Sequence, residues 1–166
     1  FGRKSFNLTL DRSEALSRAE EVRASLGWEL EDGYRYADFM DNLGYQGFTY
    51  LIRKVGVDSA DVMVNRSTFP RRWRVRWFKP LEKTEYSVAI SQSGELASLR
   101  RTLPDSLPGA ELASDEARPI AASALKKHFS IDVSDSVRYK PIEVKSDKKE
   151  NRLDHTFVWE YLDTKV

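Results

Sequence analysis

The chain has no cysteine, which removes disulfides, thiolate catalysis and Cys-ligated metals. Histidine is scarce, with only His128 and His155 present, so any catalytic or metal site built on imidazoles has few residues to draw on. No run approaches the roughly 18 apolar residues that a membrane helix requires, and no signal peptide is visible. Also missing are a Gly-rich phosphate loop, a nucleophile elbow and a metal-binding His cluster. Charge of either sign is not in excess: 27 Lys and Arg stand against 26 Asp and Glu, a net charge of +1. A dedicated nucleic-acid binder usually carries a clear basic surplus, so this balance argues against nucleic acid as the partner. What is present is a globular composition, 40% apolar and 32% charged over 166 residues, enough for one ordinary domain or two small related units.

Helical periodicity appears twice. Asp11 and Glu14 have the spacing of a capping box, followed by Ala15, Leu16, Ala19, Val22 and Leu26 at helical intervals, with Gly27 as the stop. Ser114, Asp115 and Glu116 open a second such segment, in which Pro119 is expected to bend or delay the helix. The two look like copies. Leu10, Glu14 and Ala15 correspond to Leu112, Glu116 and Ala117, and Arg35-Tyr36 to Arg138-Tyr139. An alternating aromatic segment follows each, Trp73, Val75 and Trp77 in the first and Phe157, Trp159 and Tyr161 in the second.

The expected fold class is therefore α+β: two related units, each a helix followed by an antiparallel meander, the second truncated. Unit boundaries are expected at 1–103 and 104–166, with an insertion at about 37–66 that includes a short helix over Gly47–Gly56. Strands are predicted near 72–79, 84–91 and 95–101, the last two joined by a turn at Gln92-Ser93-Gly94. Residues 103–109 read as a linker and 146–151 as a polar loop tip. The second copy runs out where the first would begin its second strand, and the opening FGRKSF would suit the edge of a preceding membrane span. Both features lead us to expect a fragment of a longer protein.

The densest stretch is WRVRWFKP, residues 73–80. On a strand, Trp73, Val75 and Trp77 point one way while Arg72, Arg74, Arg76 and Phe78 point the other. Burying the first set is worth several kcal/mol at roughly 25 cal/mol per Å², and the arginine stems can cover the opposite face with their heads hydrated. An aromatic-basic sheet for single-stranded nucleic acid needs its aromatics beside the arginines, and within this stretch only Phe78 meets that condition. The candidate binding residues are Arg71, Arg72, Arg74, Arg76 and Lys79, suited to an acidic peptide or anionic headgroups. His128 and Asp132 have a metal-ligand spacing, but a lone His in a last helical turn more often meets the terminal carbonyls. Asp154 and His155 have the letters of a relay, yet strand neighbours face opposite ways. Glu20-Glu21 reads as a solvated pair. No catalytic, cofactor or metal residue is expected within the chain.

Thr49-Tyr50-Leu51 with Arg53, Asn65-Arg66, WRVRWFKP, Gly94, Pro104, Gly109-Ala110, Ser114 to Ala117, and DHTFVWE at 154–160 together resemble the non-catalytic region of large bacterial, acidobacterial-type membrane proteins. That family is the CAAX-protease-like (CPBP family) intramembrane metalloproteases. The helix-plus-meander units are also similar to PepSY-like domains, small modules attached to peptidases. The resemblance implies a non-catalytic binding or regulatory domain, extracytoplasmic, on a bacterial inner-membrane protein. Its partner would be the membrane-embedded part of the same chain or another peptide or protein, and it would meet the membrane through flanking segments. The family's catalytic motifs are a Glu pair followed by Arg, Phe-x-x-x-His, and His-x-x-x-Asn/Asp, with a divalent metal such as zinc. Here Ser25 stands where the Arg after Glu20-Glu21 belongs, and neither histidine has a Phe four residues earlier, so no catalytic residue carries over. The alternative is a stand-alone peptide or anionic-surface binding module using strand 71–79.

Overall fold

The computed structural model describes residues 8–66 and 70–162. The opening FGRKSF segment, read above as a membrane-span edge, lies outside the described residues. Architecture is mixed α+β, and the chain divides into two compact units, 1–102 and 103–166.

In the first unit, helix α1 (Arg12–Ser25) starts where the sequence places a cap. Asp11 accepts from Glu14 N at 2.9 Å and the Glu14 carboxylate accepts from Asp11 N at 3.1 Å, so two otherwise orphaned donors are satisfied. A meander follows, with strands β1 (Tyr34–Asp41), β2 (Arg71–Phe78), β3 (Glu85–Ser91) and β4 (Leu96–Thr102) in the order β1-β2-β3-β4, each neighbouring pair antiparallel. Helix α1 lies on one face of this sheet. The buried core joins Ala15 and Ala19 to Ala37, Val75, Trp77, Tyr86, Val88 and Ile90. Small residues on α1 let it approach the strands closely, and each buried Val or Ile contributes about 1.5–3 kcal/mol. Trp28 closes the edge of the core by stacking on Tyr86, ring centroids 5.1 Å apart.

The chain between β1 and β2 forms two helices, α2 (Gly44–Val55) and α3 (Val57–Arg66), rather than the single short helix expected. Gly56, at φ +83°, makes the break between them, a backbone angle that favours glycine. The insertion also begins later than the expected residue 37, because Ala37 to Asp41 belong to β1. Gln92, 2% exposed, fastens the residues before α1 to the β3–β4 turn. Its Oε1 accepts from Thr9 N at 3.1 Å and Leu10 N at 3.4 Å.

The second unit contains helix α4 (Ser114–Phe129) and an antiparallel hairpin of β5 (Tyr139–Lys148) and β6 (Leu153–Tyr161). Glu116 accepts from Ala113 N at 2.9 Å. That is half a capping box, since alanine has no acceptor to return. Pro119 sits inside the helix without ending it. Residues 146–148, expected in a loop, extend β5. The segment before α4 is tied down: Arg152 Nη1 donates to Pro104 O at 2.7 Å and to Leu107 O at 2.9 Å. A Cβ on Gly109 would stand 3.0 Å from Arg152 Cβ, so this close approach favours glycine. All the buried residues among those described belong to the first unit.

Candidate functional site

Strand register decides which side chains share the sheet face opposite α1. Arg72, Arg74, Arg76 and Phe78 stand there on β2, with Tyr34, Tyr36, Asp38 and Met40 beside them on β1 and Glu85, Ser87, Ala89 and Ser91 on β3. Three aromatics, Tyr34, Tyr36 and Phe78, thus join the arginines, where the sequence of β2 alone offered one. Tyr34 and Tyr36 are 61% and 51% exposed. Tyr34 lies tilted against Phe78 at 6.2 Å between centroids, and the Arg76 guanidinium sits 5.5 Å from the Phe78 ring centre.

The arginines of this face are held, not loose. Arg74 forks onto Asp38, with Nε donating at 3.0 Å and Nη2 at 2.8 Å. Arg76 forks onto Glu85 through Nε and Nη2, both at 2.7 Å. The hydrogen bond from Arg76 holds the Glu85 carboxyl below its ordinary value, and the same bond raises the Arg76 guanidinium. Two-pronged pairing of this kind fixes the plane of each guanidinium. It leaves Nη1 of both arginines, two N–H donors apiece, outside the fork. The face therefore presents oriented donors whose charge is already offset, set beside aromatic rings.

Other expected residues are placed differently. Arg71 falls on the α1 side by parity and is 1% exposed. It reaches Asp41 at 3.3 Å and Asp61 at 3.5 Å, with its guanidinium 5.1 Å from the Phe48 ring centre. It ties α2 and α3 to the sheet, and its separation in sequence from Asp41 and Asp61 hides this from sequence reading. Lys79 lies 3.9 Å from Glu82, beyond the strand.

Neither histidine meets an acid as a relay would require. Asp154 accepts from Arg152 Nε at 2.8 Å, while His155 faces the other way. His155 Nε2 donates to Leu112 O at 2.8 Å and Nδ1 contacts Ser146 Oγ at 2.9 Å; a carbonyl can only accept, so Nε2 carries a proton. Asp132 is taken by Lys126 at 2.7 Å and by Ser134, which hold its carboxyl down at about 2. Among the described residues no three His, Asp or Glu side chains converge on a common point, and no residue is assigned to a metal.

His155 does have a counterpart. Trp73 Nε1 donates to Leu10 O at 3.0 Å, and Leu10 precedes α1 as Leu112 precedes α4. The same clasp, a ring N–H on a strand gripping the carbonyl ahead of a capped helix, thus occurs in both units. It aligns Trp73 with His155, two residues before the Phe157 that the aromatic pattern matches to it.

Fold and site together define a two-unit α+β protein with an aromatic and arginine-bearing sheet face. The chain matches no protein-family model, no curated protein and no solved structure.

Proposed function

We propose that the chain is a non-catalytic binding domain that takes a peptide or protein segment along the β1–β2 side of the sheet face opposite α1, where Tyr34 and Tyr36 are exposed, while Ser87, Ala89 and Ser91 on β3 are buried. The supporting observation is the meeting of Tyr34, Tyr36 and Phe78 with Arg74 and Arg76 on one face. Arginines already forked to Asp38 and Glu85 offer N–H donors with little net charge. Peptide carbonyls, neutral acceptors, suit such donors, and apolar side chains suit the aromatics. A phosphate chain or anionic membrane would meet the two carboxylates as well, which opposes it. Panning a random-peptide library on the intact chain tests this reading. Selected peptides should lose at least about tenfold in affinity, or 1.4 kcal/mol, for Tyr36→Ala and for Arg74→Glu/Arg76→Glu. The reading fails if those variants bind equally, or if oligo(dT) or anionic vesicles bind tighter than any selected peptide with a steep salt dependence.

A second reading rests on WRVRWFKP, which runs through β2 and two residues past its end, and DHTFVWE, which lies within β6. It makes this domain a regulatory, extracytoplasmic part of a CAAX-protease-like membrane protein, with the membrane-embedded region as its partner. Among the described residues no helix is long and apolar enough to cross a membrane; spans and the catalytic Glu-Glu-x-x-x-Arg motif would have to lie elsewhere in the same coding sequence. A coding sequence lacking both refutes this reading and leaves the first intact.

A further inference from the structure

The β1–β2 side of the sheet face is rich in hydrogen-bond donors and poor in acceptors. Arg74 and Arg76 are 36% and 34% exposed, and each forks through Nε and Nη2, leaving Nη1 with its two N–H groups unused. The carboxylates beside them are already engaged, since both oxygens of Asp38 and both of Glu85 receive an arginine N–H. Backbone groups of β2 are taken up by the ladders to β1 and β3. What remains for accepting is chiefly the hydroxyls of Tyr34 and Tyr36, which can equally donate.

Such a surface matches one half of a peptide group and not the other. Carbonyls of a bound segment meet donors, whereas its N–H groups are set against guanidinium groups and aromatic rings. Proline has no N–H to leave unmatched. In a polyproline II helix no internal hydrogen bonds form, so every carbonyl stays available, and the proline rings can lie on aromatic ones. The dimensions agree. Tyr34 pairs with Phe78, Tyr36 with Arg76 and Asp38 with Arg74, three rows that span about 14 Å at 3.4 Å per residue. Four to five residues of a polyproline II helix, rising about 3.1 Å each, cover that length. One end is aromatic, with the Tyr34 and Phe78 rings 6.2 Å apart, and the other presents the arginines.

We infer that the segment taken by this face is proline-rich and in polyproline II conformation, with its rings on Tyr34, Tyr36 and Phe78 and its carbonyls on Nη1 of Arg74 and Arg76. The inference rests on the reading of the chain as a peptide-binding domain and narrows it to one backbone conformation and one residue type. A preformed helix of this kind has little conformational freedom left to lose on binding. The recognition is neutral in charge, in keeping with arginines that Asp38 and Glu85 already offset.

The test titrates the intact chain with an acetylated, amidated octaproline and follows the rings of Tyr34 and Tyr36 and the Nε–H groups of Arg74 and Arg76 by NMR. Saturable shifts at these groups are expected, with Kd below about 1 mM. Tyr34→Ala and Tyr36→Ala, at side chains more than half exposed, should keep the fold and weaken binding about tenfold or more. Replacing two central prolines by alanine should cost a similar factor, and N-methylalanine at the same places, again without an N–H, should restore most of it. Equal affinity of the proline and alanine forms overturns the inference. So does an octaproline that fails to bind while proline-free peptides selected from the library bind and depend on Tyr36, a result that leaves the peptide-binding reading standing. If neither octaproline nor any selected peptide binds, both fall together.

Discussion

Replacing Trp73 with Phe keeps an aromatic ring in the core but removes the N–H that grips Leu10 O. Leu10 is 3% exposed, so water cannot readily take the place of the indole. An unsatisfied buried carbonyl costs about 1–3 kcal/mol. The smaller ring forfeits roughly 40 Å² of apolar contact, a further ~1 kcal/mol. We expect Trp73→Phe to destabilise the first unit by about 2–4 kcal/mol. The equivalent change in the second unit, His155→Phe, frees Leu112 O, which belongs to a half-buried residue and can be hydrated. Its cost should be only about 0.5–1.5 kcal/mol. Urea unfolding with residue-resolved NMR separates the two, since Val75 and Val88 report on one unit and Val144 and Val158 on the other. Equal costs, or a greater loss for His155→Phe, would refute the view that burial of the gripped carbonyl sets the strength of the clasp.

Three further outcomes follow from the polar contacts. Asp132 should titrate near 2 by NMR, and Lys126→Met should raise it toward the ordinary 3.8. Because the folded value is depressed, the group's stabilising contribution is complete above 3.8 and fades as pH falls toward 2. The Glu85 carboxyl is likewise lowered, first by its hydrogen bond to Arg76, so its contribution is lost as pH falls below the usual glutamate range, and Arg76→Gln should flatten that part of the acid-unfolding curve. Arg71→Met should cost about 1–3 kcal/mol in urea unfolding, since the buried guanidinium is lost while Asp41 and Asp61, 40% and 31% exposed, can be hydrated; Arg71→Lys should recover only part of it, because one ammonium nitrogen cannot stand at both the Nε and Nη1 positions from which Arg71 reaches the two acids.

Much of the fold is legible where one face of an element is dry. Alternation in β2 and β3 and the Asp11–Glu14 box mark their elements almost to the residue. β1 escaped because YRYADFMD places aromatics on both faces of an edge strand, which erases the two-residue alternation. β5 escaped because its burial is nearly uniform and Pro141 interrupts it, and proline is tolerated there only because the strand is an edge. The candidate site was half legible: parity within β2 separated Trp from Arg, but Tyr34 and Tyr36 reach that face only through pairing with a strand the periodicity does not announce. Arg71 belongs with α2 and α3 for a similar reason, since Asp61 sits on a helix that no short-range pattern connects to it.

The forks on the sheet face have a consequence for folding. A chain that builds two similar helix-clasp units risks pairing a strand of one with the neighbours of the other. In the place of β2, β6 would bring Asp154, Thr156, Val158 and Glu160 where Arg72, Arg74, Arg76 and Phe78 belong, leaving Asp38 and Glu85 without their arginines and setting Glu160 opposite Glu85. Half-exposed ion pairs of this sort contribute little to stability, but a mismatch of like charges is penalised. Such an exchange would forfeit both Arg74–Asp38 and Arg76–Glu85, so the two forks disfavour the mismatched sheet relative to the observed one.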